Sequence, residues 1–175
     1  MKYTAVLFLV ASLMACTPDA DKLKAELKQM DDVFSKASSI SDLKMAENFI
    51  AKSERFAKAF PADSLAPIYL FKSAGVAKTT GKFDEAYRLW DKILAEYPDN
   101  FWAPPAAFLR GYTAETELAD REKAVKYFEE FLKLYPDSDF ASQAQRQIDL
   151  LKGNVTPEDL VKEFEQNLPD TTVVE

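Results

Sequence analysis

Few side chains in this sequence could carry acid–base, nucleophilic or metal-binding chemistry. The chain has no histidine, which is the usual general acid–base group near neutral pH and the commonest ligand of transition metals. Cys16 is its only cysteine, so no cysteine–histidine pair can form a nucleophile or a zinc site. Four glycines occur, and no Gly-x-Gly or Gly-Lys-Ser/Thr sequence is present to cradle a phosphate. We therefore expect no catalytic residue, no metal ion and no cofactor, and we expect that the protein is not an enzyme.

Carboxylates are the one abundant group that could do chemistry. The chain has 29 acidic and 22 basic residues and a net charge of −7, which disfavours nucleic acid as a partner. The adjacent pairs Asp31-Asp32 and Glu129-Glu130 are most simply solvated helix faces. No pair is selected by its spacing for glycoside hydrolysis. An enzyme or a glycan-binding protein that uses carboxylates is therefore the alternative to a protein without catalytic chemistry.

The N-terminal segment predicts export. Lys2 is followed by a stretch from Ala5 to Met14 that is apolar apart from Ser12. This stretch is shorter than the roughly 20 residues that span a bilayer, and it has the form of a signal peptide. The stretch ends in Leu13-Met14-Ala15-Cys16, which resembles a bacterial lipobox. The resemblance implies that Cys16 is lipidated and becomes the new N-terminus, whereas the alternative is an ordinary secretory signal with an incidental cysteine.

The elements that must position any binding surface are helices that repeat. In residues 83–98 the apolar side chains recur at steps of three and four, which is the spacing of one helix face. The pattern occurs 37 residues earlier, where it ends at Phe60-Pro61, and 38 residues later, where it ends at Tyr135-Pro136. A period of this size is typical of stacked helical repeats. The middle copy consists of Phe83, Ala86, Tyr87, Trp90, Ile93, Leu94 and Tyr97, followed by Pro98.

The three copies resemble the tetratricopeptide repeat (TPR). The middle copy has a glycine at its turn, a small and an aromatic residue in its second helix, and a closing proline: Gly81, Ala86, Trp90 and Pro98. The third copy keeps the last three of these features in Ala124, Phe128 and Pro136, and the first keeps Pro61. The long period and the Tyr-Pro-Asp junctions are similar to those of bacterial TPR lipoproteins, which include the outer-membrane protein assembly lipoprotein and the Tol-Pal-associated division coordinator.

The resemblance covers about residues 42–152 and implies an all-α, TPR-like right-handed helical-repeat solenoid of about eight helices. The expected organisation is a lipoprotein signal peptide at 1–15, a lipidated N-terminus and first helix at 16–41, TPR-like repeats at 42–153, a C-terminal capping helix at 154–168 and a flexible tail at 169–175.

In TPR proteins a partner binds in a concave groove lined by the first helix of each repeat. Carried over by register, the partner-binding residues are Ile68, Phe71, Lys72, Lys78, Phe108, Tyr112, Glu115 and Arg146. Arg110 is expected to flank them. Such a surface suits a peptide or a helix that has an apolar face and some acidic groups. The alternative is that the N-terminal helices or the capping helix fill the groove, and the dipeptide Phe101-Trp102 is a second candidate contact.

These observations predict a membrane-anchored TPR scaffold or adaptor lipoprotein that binds a protein or peptide partner in the bacterial envelope. The expected location is the periplasmic face of the outer membrane, because Thr17 rather than Asp follows Cys16. One alternative is an envelope-associated enzyme or glycan-binding accessory protein that uses carboxylates. Another is a ligand-binding lipoprotein, which would need an enclosed pocket.

Overall fold

Seven α-helices joined by short turns and loops make up the described part of the chain. The computed structural model describes residues 19–37, 39–154, 156, 158–159 and 161–162. No strand occurs among these residues, and the prediction of an all-α fold is confirmed. The helices are α1 (Ala20–Phe34), α2 (Leu43–Ala59), α3 (Leu65–Thr79), α4 (Phe83–Glu96), α5 (Ala103–Thr116), α6 (Arg121–Leu134) and α7 (Ala141–Lys152).

Aspartate side chains begin three of these helices. Asp19, Asp42 and Asp120 each accept a hydrogen bond from the backbone N–H three residues later, at 3.1, 2.9 and 3.0 Å. A carboxylate at this position satisfies one of the N–H groups that a helix leaves free at its start. The starts of α1, α2 and α6 are therefore fixed locally, before any packing is considered.

The helices stack in two layers, and each helix packs mainly on the helices before and after it in sequence. Odd-numbered helices share one layer, in which Asp31 of α1 pairs with Lys72 of α3. Even-numbered helices share the other, where the rings of Tyr87 in α4 and Tyr127 in α6 stack with centroids 5.5 Å apart. This alternation is the helical-repeat architecture that the sequence predicts.

The core lies between the two layers. Even-numbered helices contribute its large side chains, and the faces predicted from the repeat are buried as expected: Phe49, Ile50, Phe56, Trp90, Ile93, Phe128 and Phe131. Odd-numbered helices also bury large side chains, such as Leu27, Leu70 and Phe108, but they contribute most of the buried alanines: Ala66, Ala74, Ala77, Ala103, Ala106, Ala107 and Ala114. The small residues allow aromatic rings of the other layer to approach the backbone of the odd-numbered helices closely.

Two turns between helices of a repeat use left-handed backbone. Gly81, between α3 and α4, has a φ of 75°, as expected for the glycine that ends α3. Ala119 takes the corresponding place between α5 and α6 with a φ of 50°, although a side chain disfavours this conformation. The turn geometry is therefore repeated even where the glycine is not.

The predicted ends of the chain fall largely on residues that the structure does not describe. The signal peptide at 1–15, Cys16 and the tail at 169–175 all lie outside the described residues. Within the capping helix expected at 154–168, residues 158–159 and 161–162 are helical. Among the helices that the structure describes, none is long and apolar enough to cross a membrane.

A close contact between the two layers leads to a prediction about two glycines. A Cβ added at Gly111 in α5 would lie 2.7 Å from Cδ1 and Cε1 of Phe128, whereas one added at Gly75 in α3 would meet nothing within 4 Å. Gly111→Ala should lower the free energy of unfolding by about 1–3 kcal/mol, because the buried ring cannot move away freely.

The matched control is Gly75→Ala, which should raise the same free energy by about 0.5–1 kcal/mol, because alanine is the better helix former. Urea denaturation of both variants measures the two changes. Equal effects of the two substitutions would contradict this packing.

Candidate functional site

The row of predicted groove residues lies on the odd-numbered helices. Four of these residues are on α3, three on α5, and Arg146 on α7. The structure brings the α3 and α5 members together, since Nζ of Lys78 lies 6.0 Å from the ring centroid of Tyr112. Lys78 also pairs at 2.9 Å with Glu117, which follows α5. Ile68, Phe71 and Tyr112 are half-buried, and Arg146 is exposed.

Phe108 belongs to the core rather than to the surface of this row. Its side chain is 6% exposed and packs against Phe128, Phe131 and Phe140, whose ring centroids lie 5.1–5.8 Å away. The register that predicts its helix face does not reveal that the loop before α7 covers it. Phe108 therefore supports Tyr112 from behind and offers almost no area to a partner.

Lys72 is covered in part by the N-terminal helix. Its ammonium group pairs with Asp31 of α1, and its side chain is 39% exposed. The sequence left open whether the chain fills its own groove. At this end of the row α1 does supply a carboxylate, while Ile68 and Phe71 keep part of their surface accessible.

Arg110 faces the other layer, so the expectation that it flanks the groove is wrong. Its Nε lies 2.9 Å from Oδ1 of Asp91 in α4, and its Nη2 lies 3.3 Å from Oε2 of Glu130 in α6. The guanidinium carbon is 4.1 Å from the ring centroid of Tyr127. These contacts hold Arg110 between α4 and α6, where its side chain is 13% exposed.

Glu115 is the predicted row residue with the most unusual electrostatic environment. Its Oε2 is buried and has no hydrogen-bond partner within the described part of the chain. Burial raises the pKa of this carboxyl above its ordinary value of 4.5, because removal from water disfavours the charged form. Because no second titratable group among the described residues is paired with it, this carboxylate is not half of an acid–base pair. Its ionised form instead lowers the stability of the fold.

A second surface lies where two repeat junctions meet. It is a groove of about 890 Å³ lined by residues 98–102, 104–105 and 134–140, and we call it the junction groove. Phe101 is 78% exposed there and Leu134 is 55% exposed, although both are large apolar side chains. Exposed apolar side chains gathered in one depression are typical of interaction sites. Of the second candidate contact, Phe101 is exposed in this groove, whereas Trp102 is half-buried and packs against Phe71.

The row and the junction groove adjoin each other. The ring of Phe71 in the row lies 4.7 Å from that of Trp102 in the groove, measured between centroids. The rings of Tyr112 and Phe140 both stack with that of Phe108, with centroids 6.3 and 5.1 Å away. A partner that lies along the odd-numbered helices could therefore extend into the junction groove.

Sequence reasoning missed the far wall of the junction groove, which Leu134, Tyr135 and Phe140 form together with the loop between α6 and α7. A signal was available, because the two Tyr-Pro-Asp motifs at Tyr97 and Tyr135 stand at equivalent places in consecutive repeats. Equivalent loops of stacked repeats lie side by side. The hydroxyl of Tyr135 indeed donates a hydrogen bond to the carbonyl of Pro98 at 3.2 Å.

Another depression, of about 880 Å³, lies between α1 and α2. Its lining includes acidic and basic side chains, and its Glu26 pairs with its Lys52 at 2.5 Å. Hydrogen bonding to this lysine lowers the pKa of Glu26 below its ordinary value. Its three acidic and two basic side chains largely offset each other, so this depression selects no particular partner chemistry.

Comparison with known proteins identifies the repeats. The tetratricopeptide repeat family model matches residues 69–100, which run from α3 through α4, and residues 106–138, which run from α5 through α6. These two segments are similar to tetratricopeptide repeats, and repeats of this kind generally mediate protein–protein interaction and are typically non-enzymatic. No curated protein and no solved structure matches the chain.

Glu115 supplies a pH prediction. Its raised pKa means that the folded state holds the proton more tightly than the unfolded state, so the ionised carboxylate destabilises the fold at neutral pH. Glu115→Gln should therefore raise the free energy of unfolding at neutral pH. This gain should shrink as the pH falls through the raised pKa, and it should vanish below 4.5, where both states are protonated.

Urea denaturation of the wild type and of Glu115→Gln across this pH range tests the prediction. Glu122→Gln, at an exposed position in the first turn of α6, is the control and should bring no gain in stability at neutral pH. A gain in the free energy of unfolding from Glu115→Gln that grows as the pH falls would contradict the raised pKa of Glu115.

Proposed function

We propose that this protein is a membrane-anchored scaffold or adaptor lipoprotein of a bacterial envelope, which holds a protein partner on its tetratricopeptide repeats. One observation carries the proposal: the half-buried row on α3 and α5 continues into a groove that exposes Phe101 and Leu134. Aromatic and aliphatic side chains in a preformed depression are the usual anchors of a protein interface. Binding is passive, because the stacked helices present the surface without a chemical step.

The membrane anchor is supported by sequence alone. The lipobox-like Leu13-Met14-Ala15-Cys16 follows an apolar stretch of signal-peptide length. Lipid on Cys16 would require more than one acyl chain for stable anchoring. The outer membrane is the proposed destination, since Thr17 follows the cysteine, and the periplasmic face is the proposed orientation.

The partner is proposed to belong to an envelope machine. The Tyr-Pro-Asp junctions favour outer-membrane protein assembly or Tol-Pal-associated division, because the resemblance to lipoproteins of those two systems rests on these motifs. An open apolar groove favours such a scaffold over an enzyme or a solute-binding lipoprotein, which would need an enclosed site.

Crosslinking from living cells tests the scaffold. A photoreactive amino acid in place of Phe71 or Tyr112 should capture a discrete protein partner, because both side chains are half-buried on the row. The same amino acid in place of Lys126, which is exposed on α6 in the other layer, is the control and should not capture this partner. Crosslinks from Phe71 and Tyr112 only to α1 or to residues 154–168 would show that the chain covers these residues itself. That outcome would refute the row as a partner-binding surface.

Labelling with radioactive palmitate tests the anchor. The wild-type protein expressed in a Gram-negative bacterium should incorporate the label and fractionate with the outer membrane. Cys16→Ser should abolish both while leaving the far-ultraviolet circular dichroism unchanged, because Cys16 is not part of α1 or of any later helix. An unlabelled, soluble wild-type protein would remove the membrane part of the proposal and leave the scaffold to the crosslinking test.

A further inference from the structure

The junction groove has a one-sided charge. Asp99, Asp137 and Asp139 lie on it and are exposed, and its lining includes no lysine or arginine. None of the three aspartates forms an ion pair within the part of the chain that the structure describes. Many other surface carboxylates of this protein are paired, as Glu54 is with Arg88. The groove therefore combines exposed apolar side chains with uncompensated negative charge.

The groove is also built rigidly. Asn100 Oδ1 accepts a hydrogen bond from the backbone N–H of Trp102 at 3.0 Å, and Ser138 Oγ accepts one from that of Phe140 at 3.3 Å. The Tyr135 hydroxyl ties the second junction to the carbonyl of Pro98 in the first. A preformed site loses little conformational entropy on binding. The side chains that line the groove and are available to a ligand include Phe101, Leu134 and the three aspartates.

At another repeat junction of this chain, a lysine side chain already pairs with an aspartate. At the junction between α2 and α3, Asp63 stands where Asn100 and Ser138 stand later, and its Oδ1 accepts a hydrogen bond from the N–H of Leu65. Its other oxygen binds Nζ of Lys24 in α1 at 2.6 Å. That ammonium group lies 5.7 Å from the ring centroid of Phe56. A lysine beside an aromatic ring and a junction carboxylate is thus a contact that this fold already makes.

The chain's own C-terminal residues do not match the groove. Residues 163–175 contain four acidic residues and no basic residue. Like charges face each other if this segment lies against the three aspartates, which is unfavourable. The charges therefore select a basic segment, which residues 163–175 do not provide.

We propose that the junction groove binds an extended peptide segment of a protein partner, in which proline or aliphatic side chains stand between arginines or lysines. The apolar side chains contact Phe101, Trp102 and Leu134, and the cationic groups pair with the aspartates. Aromatic-lined grooves are suited to extended, proline-containing segments, because such segments are already ordered before they bind. The inference names the partner chemistry of the proposed scaffold and rests on that function only in taking the ligand to be a protein.

Fluorescence anisotropy with three labelled peptides tests the proposal on the full chain purified from the expressing bacterium. The first peptide has a Pro-Leu-Pro-Leu core between paired arginines, the second has glutamates in place of the arginines, and the third has serines in place of the core. We expect the first to bind roughly tenfold or more tightly than either of the others. Failure of the first to bind, or equal binding of the first and third, would overturn the proposal.

Matched charge variants locate the site. Asp99→Asn, Asp137→Asn and Asp139→Asn together should weaken binding of the first peptide roughly tenfold, because three ion pairs are lost.

The control combines Asp21→Asn, Asp84→Asn and Glu122→Gln, three exposed acids in the first turns of α1, α4 and α6. Like the groove aspartates, they form no ion pair within the described residues. The control removes the same charge and should leave the affinity within about twofold. Equal losses of affinity in the two triple variants would show that the peptide is attracted only by the net charge of the protein. That result would overturn the assignment of the site to the junction groove.

Phe101→Ser distinguishes peptide binding in the groove from dimerisation through the groove. It should weaken binding of the first peptide without changing the denaturation midpoint, since the side chain is 78% exposed. A wild-type dimer that Phe101→Ser dissociates would show that a second copy occupies the groove and would overturn the proposal. Peptide binding that fails while crosslinking at Phe71 still captures a partner would remove this inference and leave the scaffold standing.

Discussion

The close approach of small residues on the odd-numbered helices to aromatic rings on the even-numbered helices is the constraint on which the stack depends. Gly111 and Phe128 are its extreme case, because no Cβ fits between them. Ala74 occupies the corresponding place in the preceding repeat and is fully buried. Since each layer is placed by the other, the surface row, the turns and the junction loops all take their positions from this contact.

Ion pairs between helices help to fix how far one helix is shifted along the next, but they contribute little to the stability of the fold. The Glu47–Lys82 and Glu54–Arg88 pairs link α2 to the beginning and the middle of α4. Hydrogen bonding to Arg88 lowers the pKa of Glu54, yet both side chains remain partly exposed, and ion pairs of this kind contribute little in water. They disfavour a stack shifted by one turn, because a shift would separate the partners.

Local patterns predicted the helices well because helix faces and caps are encoded within a few residues. The bounds of α4 and α6 and the left-handed turn at Gly81 follow from periodicity and turn chemistry. The surface was less predictable, because exposure depends on neighbours distant in sequence. Phe108 is covered by the loop before α7, and Arg110 is held by Asp91 and Glu130 from two other helices. The junction groove depends on two loops almost 40 residues apart, whose adjacency only the stack creates.

The position of the α1 cap limits the reach of the proposed anchor. Asp19 starts the first helix three residues after Cys16. Even fully extended, so short a segment reaches only about 11 Å. A lipid on Cys16 would thus hold the first helix at the bilayer surface on a very short tether, while the junction groove belongs to the last four helices of the stack. The protein would then stay within a thin layer above the membrane. This confinement would raise its effective concentration toward partners anchored in the same surface.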